Sequence, residues 1–230
     1  MNSKVLVTVS LGPVYNELIS PLTHPTLAAY AWRMGADFEV IDDRELDETH
    51  QPFWEKLRMR SYLEQYSRVL FMDSDIMVHP DAPSLFDVVP PDCLGMTCES
   101  HLQSTSDKAW ELRSFCTRTG IQMPRWDGRY WNVGAICFSQ EHRPIFDDPP
   151  CKISCDYPEQ DWINVQIARL RPKMFCLPRS LHDWAYLIKQ EERIHELAGL
   201  KRYIVHFAGQ KKDANLVSDI KEYLAKWSRT

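Results

Sequence analysis

The chain has 230 residues, 44% of them apolar, with 32 acidic against 27 basic side chains and a formal net charge of −5. This is the length and balance of a one-domain globular protein, not of a disordered or fibrous chain. The acidic excess argues against a nucleic-acid footprint, and no apolar run approaches the length of a membrane span.

Lys4 to Ser10 is a β-branched run that predicts a buried first strand, broken at Gly12-Pro13. The segment Met1 to Val7 is too short and too strand-like for a secretory signal, so a cytoplasmic protein is expected. His24-Pro25-Thr26 opens a predicted helix that runs to Met34 and stops at Gly35. Phe38 to Ile41 is the second strand, and this β-α-β order implies a parallel pair. Residues 42–50 read as acidic loop, and Phe53 to Tyr66 as a helix with apolar positions 53, 54, 57, 62, 63 and 66.

Val69 to Met72 is the third strand, and the apolar run Ile76-Met77-Val78 follows closely. Pro83 to Val88 reads as a helical turn, Cys93 to Cys98 as a strand, 106–118 as a helix and 120–131 as a Gly/Pro/Trp-rich loop. Further strands are expected at Val133 to Phe138 and Tyr203 to Phe207, with a helix at Gln160 to Arg169. The sum is an α/β domain over 1–213 with a mostly parallel central sheet flanked by helices. The amphipathic helix within 214–230 is expected to pack on it, since apolar residues recur at 216, 217, 220, 223, 224 and 227. Lys221, Lys226 and Arg229 beside Trp227 also suit peripheral contact with an anionic membrane. The seven cysteines are odd in number and lack Cys-x-x-Cys spacing, which argues against a disulfide framework or a zinc site.

Asp73-Ser74-Asp75 carries the chemistry. Two carboxylates at the end of a buried strand are costly unless paired or holding a cation. Their hard oxygens suit Mg or Mn, which would clamp a diphosphate. His206 ends a second apolar strand and offers a neutral imidazole as third ligand. Three residues on, Gly209 would let backbone approach a phosphate, and Lys212 would neutralise it. Asn132 stands just before a strand, where an amide suits sugar hydroxyls, and Gly134 signals close backbone approach. Glu159-Gln160-Asp161 sits at a helix start, where Asp161 also suits ordinary capping. Lys56 and Arg60 lie one helical turn apart, and like charges so placed call for an anion. Trp110, Trp126, Trp131, Trp162 and Trp184 include candidates for stacking on a sugar, with 100–131 as the acceptor loop.

Taken in order, Asp73-Ser74-Asp75, Asn132-x-Gly134, Glu159-Gln160-Asp161 and His206-x-x-Gly209-x-x-Lys212 resemble glycosyltransferase family 8, the glycogenin and lipopolysaccharide galactosyltransferase family. The resemblance spans Lys4 to Lys212. It implies a single GT-A domain, Rossmann-like, that uses Mn (or Mg) and a UDP-sugar and retains anomeric configuration. By position it implies that Asp73, Asp75 and His206 hold the metal, while Gly209 and Lys212 face the diphosphate. Asn132, Glu159 and Gln160 would line the sugar subsite, with Gln160 near the anomeric carbon. Lys56 falls where the family often has an Arg on the donor, and Ser10 to Tyr15, with Ser74, would lie along the nucleotide. Glu159 replaces the more usual Asp, and Asp213-Ala214 stands where Pro-Trp is common.

The expected reaction is transfer of a hexose, glucose or galactose, to a hydroxyl of a carbohydrate, protein or lipid-linked acceptor. The alternative is a nucleotide-sugar or glycan-binding module without turnover. An Asp-x-Asp phosphatase fits poorly, because the pair follows two strands and precedes Ile76.

Overall fold

The structure is a computed structural model and describes residues 3–45, 51–100, 105–153, 155–194, 202–208 and 214–228. A six-stranded sheet has the order β2-β1-β3-β6-β5-β7. Its strands are β1 (Lys4–Val9), β2 (Asp37–Ile41), β3 (Arg68–Met72), β5 (Leu94–Cys98), β6 (Trp131–Ser139) and β7 (Met174–Cys176). Only β6 runs against its neighbours; β1 pairs with β2 and β3 in parallel, and β5 with β7. The mostly parallel sheet read from the sequence is therefore present.

Alternation along these strands feeds two cores. Val5, Val7, Val69 and Phe71 face one side, under α4 (Thr105–Thr119) and α5 (Pro158–Leu170). Leu6, Leu70 and Met72 face the other, under α1 (Ser20–Arg33) and α3 (Leu85–Val88). Each fully buried side chain of this kind contributes roughly 1.5–3 kcal/mol. A second sheet, β4-β9-β8, joins β4 (Ile76–Val78), β9 (Ile204–His206) and β8 (Asp183–Trp184). Behind it, α7 (Ala214–Trp227) buries Leu216, Ile220 and Tyr223 against Met77, Val205 and Phe207.

Several elements differ from their sequence reading. The first helix begins before His24: a π-helical turn, Val14–Ile19, runs straight into α1, and Pro25 lies inside it. Burial of Ile19, Thr23, Leu27 and Tyr30 outweighs the hydrogen bond that proline removes. The helix expected over 53–66 is a 3-10 segment, Pro52–Arg58, followed by a single α-turn, α2 (Met59–Tyr62). At three residues per turn, Trp54 and Leu57 share the core side, while Phe53 and Lys56 share the opposite one. The strands β7 and β8 and the helix α6 (Ala185–Ile194) were not foreseen. Both strands are too short to show a period.

Asn132 lies within β6 rather than before it. Here the β5–β6 ladder is irregular: Gly95 pairs with Cys137, yet Thr97 pairs with Asn132. Val133 and Ile136 pack into one core and Ala135 into the other, so the bulge turns Asn132 and Gly134 toward the second sheet.

Gly95 backs onto Val89; a β-carbon at this position would come within 2.6 Å of Val89 Cγ2. Gly95→Ala should destabilise the fold by about 1–3 kcal/mol. Adding Val89→Ala should cost less than the two single changes summed, as read by urea denaturation of the double-mutant cycle.

Candidate active site

The carboxyl ends of β1 and β3 open a pocket of about 610 Å³. The sheet order reverses around β1, the place where open α/β sheets bind ligands. Asp73 follows β3, and its N–H donates to Gly134 O at 2.8 Å. The next residue is clamped from several sides. Ser74 Oγ donates to Val9 O at 2.6 Å and contacts Thr8 Oγ1 and His24 Nε2, each at 3.1 Å. Thr23 Oγ1 donates to Ser74 O at 2.6 Å. The loop is thereby fixed with both flanking aspartates directed into the pocket.

His206 arrives through the small sheet. β4 and β9 pair Ile76 with His206, and Phe207 N donates to Asp75 O at 3.0 Å. His206 Nε2 lies 3.3 Å from Asp75 Oδ1 and 3.6 Å from Asp73 Oδ2. One ligand atom from each of Asp73, Asp75 and His206 falls within 4.8 Å of the others. Two carboxylate oxygens and an imidazole nitrogen aimed at one point are a donor set that fits Mn or Mg.

Gly134 gains a specific reason here. A β-carbon on it would sit 2.7 Å from His206 Nδ1 and 2.9 Å from Asn132 Oδ1. The close approach read from the sequence is therefore to the His206 ring.

His182 was missed by the sequence reading. Its Nε2 lies 3.2 Å from His206 Nδ1, and its Nδ1 lies 2.7 Å from Thr97 Oγ1. Burial, then the nearby His206, hold its pKa well below the ordinary histidine value. In the tautomer that carries its proton on His206 Nδ1, neutral His182 accepts from it and His206 Nε2 presents its lone pair toward the aspartates. Nothing in Leu181-His182-Asp183 signals this, because the contact is made only when β8 joins β9.

Lys56 Nζ bridges Asp73 Oδ1 at 2.9 Å and Glu159 Oε1 at 3.2 Å. Burial alone would lower the lysine pKa, but the two carboxylates outweigh it and raise it, so the ammonium stays charged. Burial, reinforced by the nearby Asp73 charge, raises the Glu159 pKa, although Lys56 and a backbone hydrogen bond oppose the shift. Its Oε2 is buried without a hydrogen-bond partner. Asn132 Nδ2 donates to Glu99 Oε1 at 2.6 Å, and Gln160 Oε1 accepts from Val133 N at 3.1 Å. Glu99, a second residue that sequence reasoning missed, thus anchors the amide wall. Tyr15, Phe53 and Tyr157 supply aromatic walls. Tyr157 holds φ 52°, a left-handed conformation, directly before α5.

Other expected residues lie elsewhere. Ser10 is buried, donating from Oγ to Asn16 Oδ1 at 2.7 Å, and does not line the pocket. Arg60 pairs with Asp148 at 2.7 Å. Gly209, Lys212 and Arg229 lie outside the described residues. Asp161 does not cap α5; it is buried and accepts from Tyr130 Oη at 2.8 Å. Trp131, Trp162 and Trp184 are core, whereas Trp110 is 70% exposed. Among the described residues, no helix is long and apolar enough to cross a membrane.

Two outcomes follow from this geometry. His182→Phe should lower divalent-cation affinity about 10–100-fold, with partial recovery in His182→Gln, as measured by Mn titration. Burial pushes the Asp161 carboxyl up to about 7. The folded state then keeps a proton that the unfolded chain loses near pH 4, so stability falls as pH rises from about 4 to 7. Asp161→Asn should remove that slope, on the order of a few kcal/mol, in denaturation curves at pH 5 and pH 8.

No protein-family model and no curated protein matches the sequence. Solved structures do match. A glycosyltransferase involved in glycosylation of the major capsid of PBCV-1 is 12% identical, with 95% of this chain and 98% of that one covered and a TM-score of 0.60. The bifunctional glycosyltransferase WbbM is 13% identical over 96% of this chain and 49% of its own, with a TM-score of 0.60. Galactosyltransferase LgtC, solved with donor and acceptor sugar analogues, is 12% identical over 96% and 95%, with a TM-score of 0.54. The chain has the GT-A glycosyltransferase fold.

Proposed function

We propose that this chain is a divalent-metal-dependent glycosyltransferase that moves a hexose from a UDP-sugar to an acceptor hydroxyl with retention of configuration. One observation carries the reading: Asp73, Asp75 and His206 converge at the foot of a pocket of about 610 Å³. That volume suits a nucleotide-sugar. Its walls divide by chemistry. Tyr15, Phe53 and Tyr157 offer flat faces for a base, and Asn132, Glu159 and Gln160 offer polar atoms to sugar hydroxyls.

When bound, Mn or Mg would supply Lewis-acid stabilisation of the departing diphosphate. The protein's own residues prepare the site for that. Asp73 and Asp75 are held at fixed separation by the clamped Ser74. Lys56 keeps a positive charge beside Asp73 and Glu159, where it favours an anionic leaving group. The amides of Asn132 and Gln160 are pre-oriented by Glu99, Val133 and Gly134, so they need no reorganisation to meet hydroxyls. Gly209 and Lys212 are assigned to the diphosphate by the sequence motif. Attack on the face that the nucleotide leaves, with the phosphate accepting the acceptor's proton, fits a site where Glu159, the pocket carboxylate outside the Asp73-Asp75-His206 set, is already paired with Lys56. Carbohydrate, protein and lipid-linked acceptors are all compatible with this chemistry.

The test is UDP release from UDP-glucose and UDP-galactose with Mn, Mg or EDTA. Mn-dependent release is expected from one donor, falling about 100-fold or more in Asp75→Ala. Unchanged release in that variant would remove the metal site from the mechanism. UDP binding without release from any sugar would favour the non-catalytic module.

A further inference from the structure

A second cavity of about 560 Å³ lies between the loop that precedes β6, the start of β6, the carboxyl end of α5 and β7. Its lining includes Arg125, Trp126, Asp127, Arg129, Trp131 and Arg171. Three guanidiniums gathered around one acid are unexpected in a chain of net charge −5. The single acid is already committed. Asp127 Oδ2 accepts from Arg129 Nε at 2.8 Å, and Asp127 Oδ1 from Arg129 N at 3.0 Å. Arg125 and Arg171 make no ion pair among the described residues. Arg171 follows α5, where a positive charge complements the helix dipole, but Arg125 comes from a loop with no such need.

The aromatic groups are arranged to match. Trp126 Nε1 donates to Arg129 O at 2.6 Å, which fixes the ring and leaves only its faces to offer. Arg129 Cζ lies 5.4 Å from the Trp131 ring centroid, so the floor of the cavity is itself cationic over an indole. Flat apolar faces beside forked donors suit a sugar ring that carries an anion. Asn164 ties the cavity to the donor pocket: its Oδ1 accepts from Trp131 N at 2.8 Å and its Nδ2 donates to Trp131 O at 2.9 Å. Trp131 lines this cavity, and the next residue, Asn132, lines the other.

We propose that this cavity binds an anionic saccharide, one bearing uronate carboxylates or sugar phosphates. Its use as an acceptor-docking site rests on the transferase reading, whereas the binding itself does not. The experiment is calorimetry on the whole chain without metal or donor. The probes are tetragalacturonate for the carboxylate source, glucose 6-phosphate for the phosphate source and maltotetraose as the neutral control. At least one anionic probe should bind, with affinity falling as salt rises and falling about tenfold or more in Arg125→Ala/Arg171→Ala and in Trp126→Ala. Arg125 and Arg171 are exposed, so thermal unfolding of the arginine variant should match the parent. Trp126 is half-buried and packs against the core, so its variant is read where thermal unfolding shows it folded, and the arginine variant decides where it is not.

Three results would overturn the proposal: no saturable binding of either anionic probe, equal binding in folded variants, or equal affinity for maltotetraose. UDP release without acceptor should be unchanged in both variants. Absence of UDP release from the parent would remove the transferase reading and leave this binding site standing.

Discussion

The pairing of Ile76 with His206 is the contact on which the candidate site depends. β4 begins one residue after Asp75, and β9 ends at His206, so a ladder of three residues decides whether imidazole meets carboxylate. A slip of one residue would turn the ring to the opposite face. So short a ladder is weak by itself. Its register is held by Met77 and Val205, which are fully buried with Phe207, Leu216 and Ile220 of the third core. The packing of α7 therefore reaches the chemistry through two strands, although no described part of α7 lines the pocket.

The arrangement of charge follows from the same crowding. Asp73, Asp75 and Glu159 approach one another in a region that burial makes hostile to charge. Lys56 sits between two of them, delivered by a 3-10 segment that also turns Phe53 toward the pocket. A regular α-helix would separate residues 53 and 56 by a further 60° around its axis, a difference that follows from about 3.6 against 3.0 residues per turn. The local winding, which amphipathic spacing did not indicate, is thus part of the electrostatics.

Much of the site could be read in the sequence because its groups stand at abrupt boundaries. Asp73 and Asp75 interrupt an apolar run, His206 closes another, and Glu159 and Gln160 open a helix. Such breaks are visible without a structure. Residues that act through tertiary contacts are not. Glu99 follows an ordinary strand end, and His182 stands in a short stretch without period, yet each holds a pocket residue. Ser10 shows the converse error: it lies where a ligand loop was expected, but its hydroxyl is spent on Asn16. The strands and most helices followed from burial patterns. Pro25 was overread as a helix boundary because local preference cannot see the packing that overrides it.

Gly134 links positions that lie far apart in the chain. The seat of the His206 ring is formed by a carbon that is not there, since any side chain at 134 would meet the imidazole and the Asn132 amide. Positions 134 and 206 are therefore not free to vary independently. Among descendants of this chain, a lineage that gains a side chain at 134 must also have moved or replaced the imidazole. The loss of a glycine would then mark the loss of the imidazole from the candidate metal site, even where both aspartates survive.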